Sequence, residues 1–267
     1  MIQNTQKFLM IVMFLAVMIL VACDSTGTED NRVITLSVAG SLTPVIAEVE
    51  DAFYETDPDF EIRINYGSSG SLKQQILQGA EVDLFFFASL EHMEGLKEEN
   101  LVEDDLLVYP LENRLMLITP KGQDLVQDFE DLLTEKIQRV AIGEPDSVPA
   151  GAYARESLMD YGVYEEIKES MIFGKDVRQV LTWVESGNVD AGLVFETDAL
   201  SSENIRNVMP AHPDSHSAIR YPLGILKNTE NIEEARILMD FLLGEEAKEI
   251  FESYGFTVNT DRQDVVQ

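Results

Sequence analysis

Cysteine is almost missing from this sequence: Cys23 is the single one in 267 residues. An intramolecular disulfide and a cysteine-based metal cluster are therefore both excluded. Histidine is also scarce. His92, His212 and His216 are the three present, and none stands in a metal-ligating spacing such as H-E-x-x-H. Cations are few, with 19 Lys+Arg against 49 Asp+Glu and a formal net charge of −30. That balance argues against nucleic acid as a partner, because phosphate backbones are held by clustered Lys and Arg. It equally argues against charge-driven docking on anionic lipid. No apolar run reaches the roughly 20 residues that a membrane-spanning helix needs. What is abundant is hydrophobic residues, at 45%, which are enough for a packed core and argue against disorder. The length allows one large domain or two of roughly 120 residues each.

The N-terminus reads as an address. Residues 1–7 are mostly polar and end in Lys7, and residues 8–22 (FLMIVMFLAVMILVA) are an unbroken apolar run. A short apolar core behind a positive charge, closed by small residues, is the pattern of an export signal. Leu20-Val21-Ala22-Cys23 resembles the lipobox of bacterial lipoproteins, which implies cleavage before Cys23 and lipidation of its sulfur. The other reading is an uncleaved anchor with an inert Cys23. Residues 23–32 are short and polar and read as a flexible tether.

From Val33 onward, strand-like runs alternate with helical periodicity. Strands are expected at Val33–Ala39, Glu61–Tyr66, Asp83–Ala88, Arg114–Thr119, Arg139–Ile142, Asp190–Phe195 and Tyr221–Leu226. Helices are expected at Leu42–Tyr54, Leu72–Gln78, Gly151–Tyr161, Val177–Glu185, Ile232–Leu243 and Glu245–Tyr254, with Gly255 as a stop. Such alternation predicts an α/β fold with parallel sheets and crossover helices. Two lobes are expected: residues 33–110 with 225–267, and residues 111–224. The chain would cross between them near Leu111–Leu117 and Tyr221–Leu226. The carboxylate run 97–105 (KEENLVEDD) reads as a solvated face, and Trp183 as core packing.

Four segments could carry function. Ala39-Gly40-Ser41-Leu42-Thr43 sits at a strand-to-helix junction, where unsatisfied N–H groups and the helix dipole favour an anion. Ser41 adds a hydroxyl, or merely caps its own helix. Gly67-Ser68-Ser69-Gly70-Ser71 crowds hydroxyls at a second helix start, or is a simple serine-glycine turn. It is neither a Walker A loop nor a G-x-S-x-G elbow. Val148-Pro149-Ala150-Gly151 opens a third helix. Asp176 looks like the cap of a fourth, beginning at Val177. Together they would aim neutral donors inward from both lobes.

The ordered stretches AGSLT (39–43), GSSGSLKQQI (67–76), GEPDSVPAGAYARESL (143–158), GKDVRQVLTWVESGNVDAGLVFETDA (174–199) and EIFESYGFTV (249–258) resemble the molybdate-binding proteins of ABC uptake transporters. The resemblance covers about residues 33–258. It implies a two-lobed, type II periplasmic-binding fold and no enzymatic activity or cofactor. The ligand would be molybdate or tungstate, its metal held only as the oxyanion with no direct side-chain coordination. The protein would be an exported, lipid-anchored monomer that works with a membrane permease. Carried over by position, Ser41 and Ser69 would donate through hydroxyl and main-chain N–H, and Ala150 and Val177 through main-chain N–H. The family's tyrosine donor falls at Phe195, which has no hydroxyl. One hydrogen bond to the anion is thus missing or supplied elsewhere, by Tyr153 or water. A receptor for another tetrahedral oxyanion such as sulfate, and a hydrolase using Ser69 as nucleophile, are the competing expectations.

Overall fold

The computed structural model describes residues 32–259. The expected signal segment, the Cys23 lipidation site, nearly all of the tether and residues 260–267 lie outside that range. Among the described residues no helix is long and apolar enough to cross a membrane.

The chain opens with β1 (Arg32–Ala39), whose apolar residues are buried from Ile34 onward. A short 3-10 turn at Gly40–Leu42 leads into α1 (Thr43–Thr56). Pro44 stands in the first turn of α1, where its missing N–H costs nothing. The expected face Val45, Ile46, Val49 and Phe53 is the one buried, because its i, i+1, i+4, i+8 spacing places all four on one side. β2 (Phe60–Gly67) follows, then α2 (Ser69–Leu77), β3 (Leu84–Phe86), α3 (Leu90–Glu98) and β4 (Val102–Glu112). After Asn113 and Arg114 the chain enters a second sheet through β5 (Leu115–Pro120) and β6 (Val140–Gly143). There follow α4 (Pro149–Asp160), α5 (Tyr164–Ile167), β7 (Met171–Gly174), α6 (Val177–Glu185), β8 (Ala191–Phe195), α7 (Glu196–Leu200) and β9 (Ile205–Pro210). The chain then returns to the first sheet with β10 (Arg220–Leu226), α8 (Ile232–Leu242), α9 (Glu245–Ser253) and β11 (Thr257–Val258).

The first sheet has six strands in the order β11-β4-β10-β3-β1-β2, and the second has five in the order β7-β6-β8-β5-β9. Both are flanked by helices, so the molecule is α/β with two lobes. On one side of the first sheet Phe53, Leu84, Phe86 and Phe251 join the larger core. On the other, Phe85, Phe87, Leu72, Ile76 and Leu96 form a separate cluster. With both faces covered, β3 is apolar at every position, as a central strand must be.

Three expectations change. The sheets are mixed, not parallel. β1 and β3 run parallel, as do β6 with β7 and β8, but β10 is antiparallel to β3 and β4, and β5 to β8 and β9. The cause is the double crossing, which brings the chain back into a sheet from the opposite end. The second crossing is not at Tyr221–Leu226. The whole of β10 belongs to the first sheet, so a boundary at residue 224 cuts a strand and the chain crosses over residues 211–219. At the first crossing Leu111 and Glu112 still pair within the first sheet, and only Asn113 and Arg114 lie between strands. Finally, α2 begins three residues earlier than its apolar spacing suggests. Ser68 takes extended backbone and its Oγ accepts the Ser71 N–H, so the serines form the helix's first turn.

Candidate functional site

Four segments converge on one cavity, lined by Ala39, Gly40, Ser41, Ser68, Ser69, Ala88, Val148, Pro149, Ala150, Asp176, Val177 and Phe195. All five carried-over positions, Ser41, Ser69, Ala150, Val177 and Phe195, are among them. The cavity is narrow, about 10 Å³, the scale of one water molecule. A cavity of about 390 Å³ lies elsewhere, between β4 and α8–α9. Its walls mix apolar Leu106, Val108, Met239 and Leu242 with Asp105, Asp240 and Glu245 against a single cation, Lys248, that is paired with Glu245, a poor setting for an anion.

Each wall follows from local sequence. Ser41 is buried in the 3-10 turn after β1. It does not cap its own helix: that junction is closed by Thr43 Oγ1 donating to the Gly40 carbonyl at 2.8 Å. Ser41 Oγ instead lies 3.2 Å from the Tyr221 hydroxyl. Ser69 is fully buried in the first turn of α2, and its Oγ accepts the Ala88 N–H at 3.0 Å. Its own hydroxyl hydrogen therefore remains to donate. From the second lobe, Pro149 and Ala150 start α4. Gly151 lets this start lie against β6, since a Cβ there would fall 2.0 Å from the Gly143 carbonyl oxygen. Val177 is the first residue of α6, and Asp176 is its cap, its Oδ1 accepting the Gln179 N–H at 2.8 Å. Helix starts leave their first N–H groups without intrahelical partners, so α2, α4 and α6 each present donors here.

The lining holds no Lys, Arg or His, and its one carboxylate, Asp176, uses Oδ1 to cap α6. Among the described residues no group of three or more His, Cys, Asp or Glu could hold a metal ion. The cavity is suited to a species made only of acceptors.

The lobes touch at its rim. The Gly70 N–H donates to the Ser147 carbonyl at 3.0 Å. His92, buried on α3, hydrogen-bonds the Asp146 backbone, while its Nδ1 lies 2.8 Å from Ser89 Oγ. Burial, with Lys73 nearby, lowers the His92 pKa and keeps the ring neutral. In the cavity wall Phe195 is 1% exposed, its ring centroid 6.3 Å from Tyr153 and 5.9 Å from Tyr221.

The chain matches the bacterial extracellular solute-binding protein family over residues 34–257. It belongs to that family. It is 41% identical over 234 residues to YvgL of Bacillus subtilis, named as a candidate ABC transporter substrate-binding lipoprotein, covering 87% of this chain and 89% of that protein. It is 30% identical to the molybdate-binding protein ModA of Haemophilus influenzae, covering 84% and 89%. The substrate-binding domain of a candidate molybdenum ABC transporter from Clostridium difficile superposes with a TM-score of 0.67 at 38% identity, covering 84% of this chain and 98% of that one. As a solute-binding protein of this family the chain is not an enzyme, which overturns the hydrolase expectation for Ser69. Members of this family bind and release their ligand and use no cofactor to do so.

Residues beyond the expected set also shape the site. Ser68 and Ala88 line it, and Tyr221, Asn113 and Asp198 stand behind it. The one signal for Tyr221 and Asn113 was that both fall in stretches read as crossings.

Proposed function

We propose that this protein captures molybdate or tungstate outside the membrane and hands it to an ABC permease. The observation that carries the reading is the convergence of Ser41, Ser69, Ala150 and Val177 from two lobes on one cavity without a cationic side chain. Dipoles fixed in a closed site hold a dianion without a counter-charge. Donors aimed into the cavity also disfavour an anion that carries a proton, because its O–H takes the place of an acceptor that one of them would bind. The relatives named for molybdate support the choice of ligand. Domain closure about residues 113–114 and 211–219, driven by contacts to the anion, would bury it. The lobes are then residues 33–112 with 220–259, and 115–210. A monomeric receptor, acylated at Cys23 and held at the outer face of the cytoplasmic membrane, belongs to the same reading.

Calorimetric titration with molybdate, tungstate, sulfate and phosphate tests it. Molybdate and tungstate should bind about a hundredfold more tightly than the other two, and Phe195→Tyr should tighten molybdate by about tenfold by restoring one charge-assisted hydrogen bond. A preference for sulfate would turn the reading to the competing oxyanion. No heat with any of the four would end it.

A further inference from the structure

Ser41 belongs to a directed chain of hydrogen bonds that begins at the first crossing. The Arg114 N–H, which can only donate, points at Asn113 Oδ1 at 2.8 Å. That contact fixes the Asn113 amide, so its Nδ2 hydrogens face the Thr197 hydroxyl at 2.9 Å and the Tyr221 hydroxyl at 3.0 Å. Tyr221 thus accepts from Asn113, and its own hydrogen has Ser41 Oγ, 3.2 Å away, as partner. Tyr221 is completely buried, and an unmade donor there is costly. Burial also holds its phenol proton in place by raising the pKa. Ser41 Oγ accepts from Tyr221 and is left with its own hydrogen, on a side chain that lines the cavity.

We infer that Asn113 and Tyr221 are positioning residues that set the polarity of Ser41, making its hydroxyl a donor and not an acceptor toward the bound anion. A lone serine hydroxyl can rotate to accept the O–H of a protonated anion. Held by this chain its hydrogen stays aimed into the cavity, so the site favours fully deprotonated tetrahedra over hydrogenphosphate. The inference rests on the oxyanion reading above and assigns to two residues outside the cavity lining a share of its selectivity.

The test compares the molybdate-to-phosphate and molybdate-to-sulfate affinity ratios in wild type, Tyr221→Phe and Asn113→Asp, with phosphate and sulfate as competitors near neutral pH. Tyr221→Phe frees Ser41 to rotate. Asn113→Asp keeps the shape but turns the amide into an acceptor, so Tyr221 donates to it and Ser41 donates to Tyr221. Both should lower the molybdate-to-phosphate ratio by about tenfold, the scale of one hydrogen bond to a charged group. The molybdate-to-sulfate ratio should stay within about twofold, because sulfate carries no proton at this pH, and the charge introduced by Asn113→Asp acts alike on each dianion. In a Ser41→Ala background the same two substitutions should leave both ratios unchanged. Thermal melts confirm that each variant is folded. Unaltered phosphate discrimination in both variants, or a drop that persists without Ser41, overturns the inference. Wild-type protein that takes none of the anions fails at the oxyanion reading itself, and the polarity claim falls with it.

Discussion

Asp198 is a carboxyl buried with one oxygen unpartnered. It is completely buried on α7, directly after the strand that ends in Phe195. Oδ1 meets Arg178 at 3.3 Å, while Oδ2 has no partner. Burial pushes its pKa up to about 7, against the opposing pull of the Arg178 charge. The folded value therefore lies above the unfolded one of 3.8. A carboxyl of this kind contributes stability that is fully present below the unfolded pKa and is lost as pH rises through the folded pKa. Asp198→Asn should remove that slope. The stability of the variant relative to wild type should grow by about 2–4 kcal/mol between pH 4 and pH 8, the scale of about three pKa units. Urea melts at the two pH values measure it, and a difference that does not move with pH would sink the account. None of this was visible in the sequence. Asp198 became a buried acid only because α6 brings Arg178 beside it, 20 residues away in the chain. Tyr221 was hidden for a similar reason, since its partners Asn113 and Ser41 are 108 and 180 residues distant. The segments around Ser69, Ala150 and Val177 were legible because glycine, proline and an acidic cap mark helix starts locally, while the choice of those residues within them came from the family resemblance.

At the scale of elements, legibility followed the strength of the local pattern. α6 starts and ends where the sequence places it, because a 3.6-residue apolar stripe coincides with an Asp176 cap. β4 was missed. Its first half is acidic, and the buried Val102, Leu107, Tyr109 and Leu111 emerge only once β10 pairs along it. α2 was found but begun too late, and that shift matters, for it places Gly70 inside the helix and at the rim between the lobes. A Cβ on Gly70 would lie 2.6 Å from the Ser147 carbonyl oxygen and 2.7 Å from His92 Nε2. Alanine is otherwise the better helix residue by roughly 0.5–1 kcal/mol. Gly70→Ala should thus hold the lobes apart at Ser147 and leave each lobe folded, with a melting temperature unchanged or slightly lower because buried His92, in the same lobe, must shift. Molybdate affinity should fall by at least about tenfold, since the donors of the second lobe no longer reach the anion. Full affinity in a variant that melts like wild type would show that the Gly70–Ser147 approach has no part in closure.

The whole molecule works against its own ligand at long range. Forty-nine acids and 19 cations give a formal charge of −30, so on the proposed reading a dianion approaches through a repulsive field, while the donors proposed to hold it would act only at close range within the cavity. The two effects separate by distance. Hydrogen bonds inside the cavity are shielded from salt by burial, whereas the approach path is screened over about 8 Å at physiological ionic strength. Added salt should therefore speed association and leave dissociation nearly unchanged. The single tryptophan, Trp183, offers the measurement: it is half-buried on α6, the helix whose first residue lines the cavity. Stopped-flow fluorescence with molybdate should show the on-rate rising several-fold between roughly 0.01 and 0.15 M salt, as the screening length shrinks from about 30 to 8 Å. A rate that is flat or falls with salt would mean that the potential at the cleft mouth is set by the helix starts of α2, α4 and α6 and not by the surface carboxylates, and that the acidity has no kinetic cost.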